Sequence, residues 1–362
     1  MTSLRFLIAL WVFLFHFNAR LPLPVNYASA KTVVANGAVG MTFFFVLSGF
    51  VLTYANSGRE LRFGPYLKAR LLRIYPAYLL AVAVSLAVID YKFATPRQSA
   101  FSLAANAISV QGWFPPLFEH GLNGGTWSLS CEWLFYLLFP LLLPPIAWLG
   151  RSKVLVLLVA AYAASCLPAV FQHEYSEYFL AAYSFPLARF PEFIVGMCAG
   201  QLFVSSSPQS ASKHYALITL VLLVLLTAMA FPYPYGMIDM SRNIVAVPML
   251  ALLIYFAGWA SGRNPLCSRP LVWLGEVSYG FYLFQFVPLY YLERFAPVAV
   301  GHECVALIVT FFLSLGLAAA SYHCLEMPIR RLDWLAFSSW LPIGGNDSSS
   351  TMATLRESEK QP

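Results

Sequence analysis

Apolar runs of bilayer length recur along most of the 362-residue chain, each broken by a short polar or proline-bearing stretch. About 20 apolar residues cross a hydrocarbon core. Ten segments approach that length: 6–22, 37–56, 72–90, 127–149, 153–171, 190–205, 214–232, 243–260, 271–295 and 302–324. The pattern predicts an all-α fold, a polytopic transmembrane helical bundle of about ten spans. The sixth segment is short, and Pro186 and Pro191 predict a broken or partly re-entrant start to it. The stretch 98–118 is moderately apolar but holds Asn106, Gln111, Pro115 and Pro116, which predicts a membrane-surface or re-entrant element rather than an eleventh span. Residues 1–335 are expected to form one transmembrane domain. Residues 336–362, serine-rich from Gly344, are expected to be a polar tail without fixed structure.

Composition excludes the soluble alternative. Hydrophobic residues make up 59% of the chain and charged residues 10%, too few to cover a water-facing surface; soluble domains carry about 25% charged residues. The net charge of +6 does not imply a nucleic-acid partner. Basic residues beside apolar spans are explained by topology and anionic headgroups. With the N-terminus in the cytoplasm, the inner segments carry roughly twice as many Lys and Arg as the outer ones. An even number of spans then leaves both termini cytoplasmic. The apolar run Phe6–Phe17, with Arg5 before it and Ala28-Ser29-Ala30 after it, is similar to a secretion signal. The small-residue triplet lies far beyond the run and His16 interrupts it, so a retained first helix is the expectation. The cysteines at 131, 166, 198, 267, 304 and 324 have no CxxC spacing, which favours small core residues over a metal site.

Ionisable groups inside the spans carry the functional signal, because each costs at least ~2.5 kcal/mol on insertion scales. Arg5 and His16 are eleven residues apart, which places them within about 20° on one helix face and about 16 Å apart along the axis. Arg5 alone can be read as an arginine reaching for headgroups, and His16 as a structural histidine. Lys68, Arg70 and Arg73 cluster at the cytoplasmic mouth of the third span. They suit either anionic lipid or the phosphates of a cytoplasmic donor. Glu132 is expected about two turns inside the outer boundary, where it must face a polar cavity, pair with a base or be protonated. Arg189 and Glu192, three residues apart, predict a local ion pair. Glu326 is expected to pair with Arg330 or Arg331 in a structural role. Ser48 and Gly49 are explained by close helix packing.

Six stretches carry a resemblance. They are Arg5 to His16 as R-x10-H, Phe44 to Phe50 as FFVLSGF, Arg70-x-x-Arg73 before Ile74-Tyr75-Pro76, Trp127-Ser128-Leu129 with Glu132, Phe135 and Tyr136, Ser278 to Leu283 as SYGFYL, and Glu326-Met327-Pro328. In this order the chain resembles the acyltransferase-3 family of integral membrane O-acyltransferases. The resemblance implies a bacterial cytoplasmic (inner) membrane enzyme that takes an acyl group, usually acetyl, from cytoplasmic acyl-CoA. The acceptor would be a hydroxyl of a glycan or lipid-linked glycan. It implies no permanently bound cofactor and no metal. Arg5 and His16 match the family's functional motif, and Arg70 and Arg73 match positions proposed to hold the donor. Two positions depart from the pattern: Thr42 stands where many relatives have an acidic residue, and Gln285 where many have a histidine. The catalytic burden therefore falls on His16 as general base, with Glu132 as its orienter or as an acceptor ligand. Ser48, Tyr136, Arg189, Glu192 and Glu326 are the further candidates for acceptor binding or support. A covalent acyl-histidine route stays open. A transporter or flippase of a lipid-linked or small polar substrate is the rival from another class, since intramembrane charges also mark substrate paths.

Overall fold

The computed structural model describes residues 1–24, 26–88, 95–114, 117, 122–174, 183–206, 211–231, 240–259, 267–299 and 301–329. Among them there is no strand. The helices are α1 (Thr2–Arg20), α2 (Ala28–Ala35), α3 (Gly40–Asn56), α4 (Phe63–Val88), α5 (Pro96–Ala107), α6 (Trp127–Trp148) and α7 (Arg151–Glu174). They continue as α8 (Pro186–Val204), α9 (Ala211–Ala230), α10 (Asn243–Trp259), α11 (Arg269–Phe284), α12 (Phe286–Ala299) and α13 (Glu303–Ser321). A π-helical turn, Tyr322–Glu326, extends α13.

Eight helical segments among the described residues are long and apolar enough to cross a membrane: Thr2–Arg20, Ala28–Asn56, Phe63–Ala87, Trp127–Trp148, Arg151–Val170, Pro186–Val204, Met240–Trp259 and Glu303–Ile329. The protein is an all-α polytopic membrane protein. Of the two other expected spans, one has a shorter apolar helix, His214–Ala230. The other, 271–295, is two helices that meet at Gln285. The break has a local cause. Pro288 has no N–H for the carbonyl of Phe284, and Gln285 Nε2 donates to the carbonyl of Tyr282 at 2.8 Å.

Two further expectations are corrected. The start of α8 is not broken: the helix is continuous from Pro186 to Val204. Pro186 sits in the first turn, where a missing N–H costs nothing. The second apolar segment begins nine residues earlier than the sequence suggested, as α2, a 3-10 turn Gly37–Val39 and then α3. Asn36 Nδ2 fastens that bend to the carbonyl of Met229 in α9 at 2.7 Å.

Glycine and aromatic contacts set how closely the helices pack. A Cβ on Gly49 would stand 2.1 Å from the carbonyl oxygen of Phe193, and one on Gly196 2.0 Å from that of Val46. The glycine of the FFVLSGF stretch is thus a contact point between α3 and α8, as the packing argument anticipated. On the other side of α1, Phe6 and Phe13 pack on Phe281 of α11, with Phe311 of α13 completing the group. Of the cysteines expected in the core, Cys131 and Cys198 are buried and Cys166 is half-buried, whereas Cys267, Cys304 and Cys324 are exposed.

The stretch before α6 folds back into the bundle. At twelve residues, α5 spans about 18 Å, too short to cross. Tyr75 and Tyr78 of α4 donate to the carbonyls of Ala107 and Asn106 at its end. The chain then turns at Ser109 (φ 57°) and lies over the start of α6. Gln111 Nε2 donates to the Thr126 carbonyl at 2.7 Å. Ser130 Oγ accepts from the Gly112 amide at 3.0 Å and donates to the Ser109 carbonyl at 2.9 Å. As a result the whole first turn of α6, Trp127 to Cys131, is buried.

Candidate active site

The interior start of α6 decides where Glu132 lies. Its carboxylate faces a cavity of about 110 Å³ that Arg5, Ser48, Arg70, Arg73, Tyr136 and Tyr279 also line. Five helices meet there. α1 supplies Arg5, α3 Ser48, α4 both other arginines, and α6 Glu132 with Tyr136. Tyr279 of α11 closes the wall and donates to the Ile74 carbonyl at 3.1 Å, between the two helices. Tyr136 Oη donates to Glu132 Oε2 at 2.7 Å. Arg5, Arg70 and Arg73 are the positive charges that face Glu132 across this cavity. The Arg70 guanidinium also stands 5.6 Å from the ring centre of Tyr66. Three guanidiniums against one carboxylate make a net-positive cavity, which favours an anionic ligand. Its volume holds several waters.

His16 stands at the other end of the same helix. Its ring packs edge-on against Phe286 (4.6 Å between centroids) and Phe15 (4.9 Å). One turn further along α1, Arg20 Nη1 donates to the His16 carbonyl at 3.1 Å, and its guanidinium lies 5.8 Å from the ring centre of Phe286 and 5.7 Å from that of Tyr290. Tyr290 Oη accepts from the Gly124 amide at 2.9 Å. A Cβ at Gly124 would meet Phe286 at 2.6 Å and one at Gly125 at 2.8 Å, so only a glycine pair lets this turn approach α12. Tyr282 Oη holds the turn from the other side, donating to the Gly125 carbonyl at 2.7 Å.

The sequence candidates therefore divide into two groups. Arg5, Ser48, Arg70, Arg73, Glu132 and Tyr136 share one cavity. His16 lies apart from it, about 16 Å along α1 from Arg5. Of the roles expected for Glu132, orienting His16 is not what the structure displays: the hydrogen bond to Glu132 comes from Tyr136, and it faces a polar cavity lined by the arginines. Residue numbering placed Glu132 two turns inside the outer boundary, but the first turn of α6 already lies in the interior.

Arg189 and Glu192 form the expected ion pair, 3.1 Å apart and fully buried. The pair belongs to a closed ring of contacts. Asn243 Nδ2 donates to Glu192 Oε1 at 2.9 Å, Arg189 Nη2 to Thr42 Oγ1 at 3.1 Å, and Thr42 Oγ1 to Asn243 Oδ1 at 3.3 Å. The Arg189 guanidinium sits between the rings of Phe45 and Tyr183, 5.2 Å from each centre. The ring ties α3, α8 and α10 together, and none of its residues lines the three-arginine cavity. Glu326 is buried in the π-helical turn. Its expected partners Arg330 and Arg331 lie outside the described residues, as does the tail 336–362.

Sequence reading missed Arg20, Tyr279, Phe286 and Tyr290. Arg20 had a signal, since it follows His16 by four residues and so shares its face. Tyr279 lay within a quoted motif but had no spacing relation to the arginines it joins.

Comparison with known proteins gives a consistent picture. The model of the acyltransferase domain family matches residues 1–322. Acyltransferase MdmB of Streptomyces mycarofaciens is 26% identical over 329 residues, covering 83% of this chain and 81% of its own. The exopolysaccharide production protein ExoZ of Rhizobium meliloti is 25% identical over 323 residues, 82% of this chain and 90% of its own. YrhL of Bacillus subtilis, described as a candidate peptidoglycan O-acetyltransferase, is 27% identical over 349 residues. This chain spans 52% of that relative's length. No solved structure matches the chain.

Proposed function

The chain belongs to the acyltransferase domain family, and from that premise we propose that it moves an acetyl group from cytoplasmic acetyl-CoA to a hydroxyl of a cell-surface or secreted saccharide. One observation carries the reading: a single face of α1 has Arg5 in a three-arginine cavity at one end and His16 at the other. CoA has the matching shape. Its charged nucleotide stays near water while the thin pantetheine arm reaches inward. Arg70 and Arg73 hold its phosphates through charge-assisted hydrogen bonds. Arg5 continues the path, and the thioester arrives near His16.

His16 acts as general base. A ring nitrogen takes the proton of the acceptor hydroxyl as its oxygen attacks the thioester carbon. The carbon–sulfur bond breaks, the new ester leaves with the acceptor, and the thiolate takes the proton from the imidazolium to give free CoA. Phe15 and Phe286 keep the ring in place and limit water around it. Glu132 serves the donor end: fixed by Tyr136, it spaces the three guanidiniums, which would otherwise repel one another. Names of relatives that include exopolysaccharide production and peptidoglycan O-acetylation favour a saccharide acceptor.

The test is purified protein in liposomes given acetyl-CoA labelled in the acetyl group and a saccharide acceptor. Label appearing as an ester on the saccharide supports the proposal. Movement of saccharide across the bilayer with no acetyl transfer would replace it with a flippase.

A further inference from the structure

The three-arginine cavity stops short of His16, and an aromatic pair marks where it stops. Of the α3 residues in its lining, Phe44 lies nearest the start of that helix. That start packs on α1 well past Arg5: a Cβ on Gly40 would stand 2.5 Å from Val12, and one on Gly37 2.4 Å from Phe15. Phe44 is therefore the α3 lining residue closest to His16, and a helical side chain leans toward the N-terminus of its helix, here toward His16. Behind it stands Tyr282 of α11, which does not line the cavity, with the two ring centres 6.4 Å apart. Tyr282 in turn borders the His16 end. A Cβ on Gly125 would meet its ring at 3.1 Å and, at 2.8 Å, the ring of Phe286, which touches His16.

The two rings are held unequally. Tyr282 is buried, and its hydroxyl donates to the Gly125 carbonyl at 2.7 Å and lies 3.3 Å from Ser128 Oγ. Phe44 is half-buried and packs edge-on against Phe43. A cavity of about 110 Å³ has room for only a few heavy atoms beside the arginines. A group that moves from the arginines toward His16 meets the Phe44 ring, and the fixed tyrosine behind it leaves that ring little space to retreat. A two-carbon group asks for little room. Each further methylene must displace a packed ring, and overfilling such a site is unfavourable.

We propose that Phe44, backed by Tyr282, sets the length of acyl chain that the site accepts, admitting acetyl and excluding chains longer by several carbons. This role rests on the donor reading of the three-arginine cavity and adds to it the residue that selects among acyl donors. Phe44 contacts the chain and takes no part in proton transfer. Shortening it changes which acyl-CoA binds and leaves the binding of CoA itself in place.

The test measures binding to the full chain in nanodiscs. The probes are CoA, acetonyl-CoA and 2-oxoheptyl-CoA, the last two being thioethers whose chains cannot transfer. The wild-type chain should bind acetonyl-CoA about a hundredfold more tightly than 2-oxoheptyl-CoA, since even one methylene without room discriminates by about 10–200-fold. Phe44→Ala should bring that ratio to about tenfold or less, and Phe44→Leu should lower it by a smaller factor, with CoA binding unchanged in both. Phe50→Leu, which removes a buried ring of α3 outside the cavity, should keep the wild-type ratio. Equal binding of both thioethers by the wild-type chain would overturn the proposal, and so would a Phe44→Ala ratio equal to the wild type's. Loss of CoA binding in both Phe44 variants would overturn it in favour of a packing role. A wild-type chain that does not bind CoA would remove the donor reading itself, so the two failures are read separately.

Discussion

Tyr136 hydrogen-bonds Glu132 across one turn of α6 at 2.7 Å, and in doing so aims the carboxylate at the cavity where Arg5, Arg70 and Arg73 converge. A half-buried carboxylate hydrogen-bonded beside three guanidiniums is an organising charge, and its removal leaves like charges facing one another. Glu132→Gln should lower kcat/KM for acetyl-CoA by about tenfold or more, and Tyr136→Phe by a smaller factor, because a hydrogen bond to a charged group contributes about 1.5–3 kcal/mol. Steady-state kinetics of the two variants would check this. An unchanged donor KM with Glu132→Gln would remove Glu132 from the donor end.

Arg70 and Arg73 should bind the donor whether or not transfer occurs. Arg70→Ala with Arg73→Ala should weaken CoA binding about a hundredfold, two charge-assisted contacts being lost. Calorimetry with CoA on detergent-purified protein measures it. Equal affinity for the double variant would refute the assignment.

Gly49 is expected to matter for packing and not for chemistry. Its missing Cβ lets the carbonyl of Phe193 approach to 2.1 Å from the Cβ position. Gly49→Val should force α3 and α8 apart and cost about 1–3 kcal/mol or more, seen as a lower melting temperature of the solubilised protein. Ser48→Ala, one residue away on the cavity wall, should leave the melting temperature in place.

The Arg189–Glu192 pair separates structure from catalysis. Arg189→Met alone leaves Glu192 buried without its cation and should cost about 3–5 kcal/mol. Arg189→Met combined with Glu192→Leu should recover much of that loss and keep acetyl transfer. A folded double variant without transfer would show that the pair belongs to the reaction.

The sequence revealed the parts of this molecule that follow from local rules. Apolar runs located the membrane helices, and the eleven-residue spacing put Arg5 and His16 on one face. It could not reveal what depends on the path of the chain through space. Residues 109–113 cover the first turn of α6, so Glu132 lies beside arginines of α1 and α4 and not near His16. The break at Gln285 was hidden for a related reason: the apolar run 271–295 is continuous, and only Pro288 hinted that the helix stops. The ring of Thr42, Arg189, Glu192 and Asn243 was half legible. The i, i+3 pair could be read from α8, but Thr42 and Asn243 come from helices whose neighbours no local pattern specifies.

The role of His16 is the central claim, and acetyl transfer by His16→Ala tests it most directly. With labelled acetyl-CoA, wild-type-like CoA binding and normal membrane insertion, the variant should lose about 10²–10⁴-fold in transfer rate, the range of a positioned general base. Near-normal turnover by His16→Ala under those conditions would contradict the account.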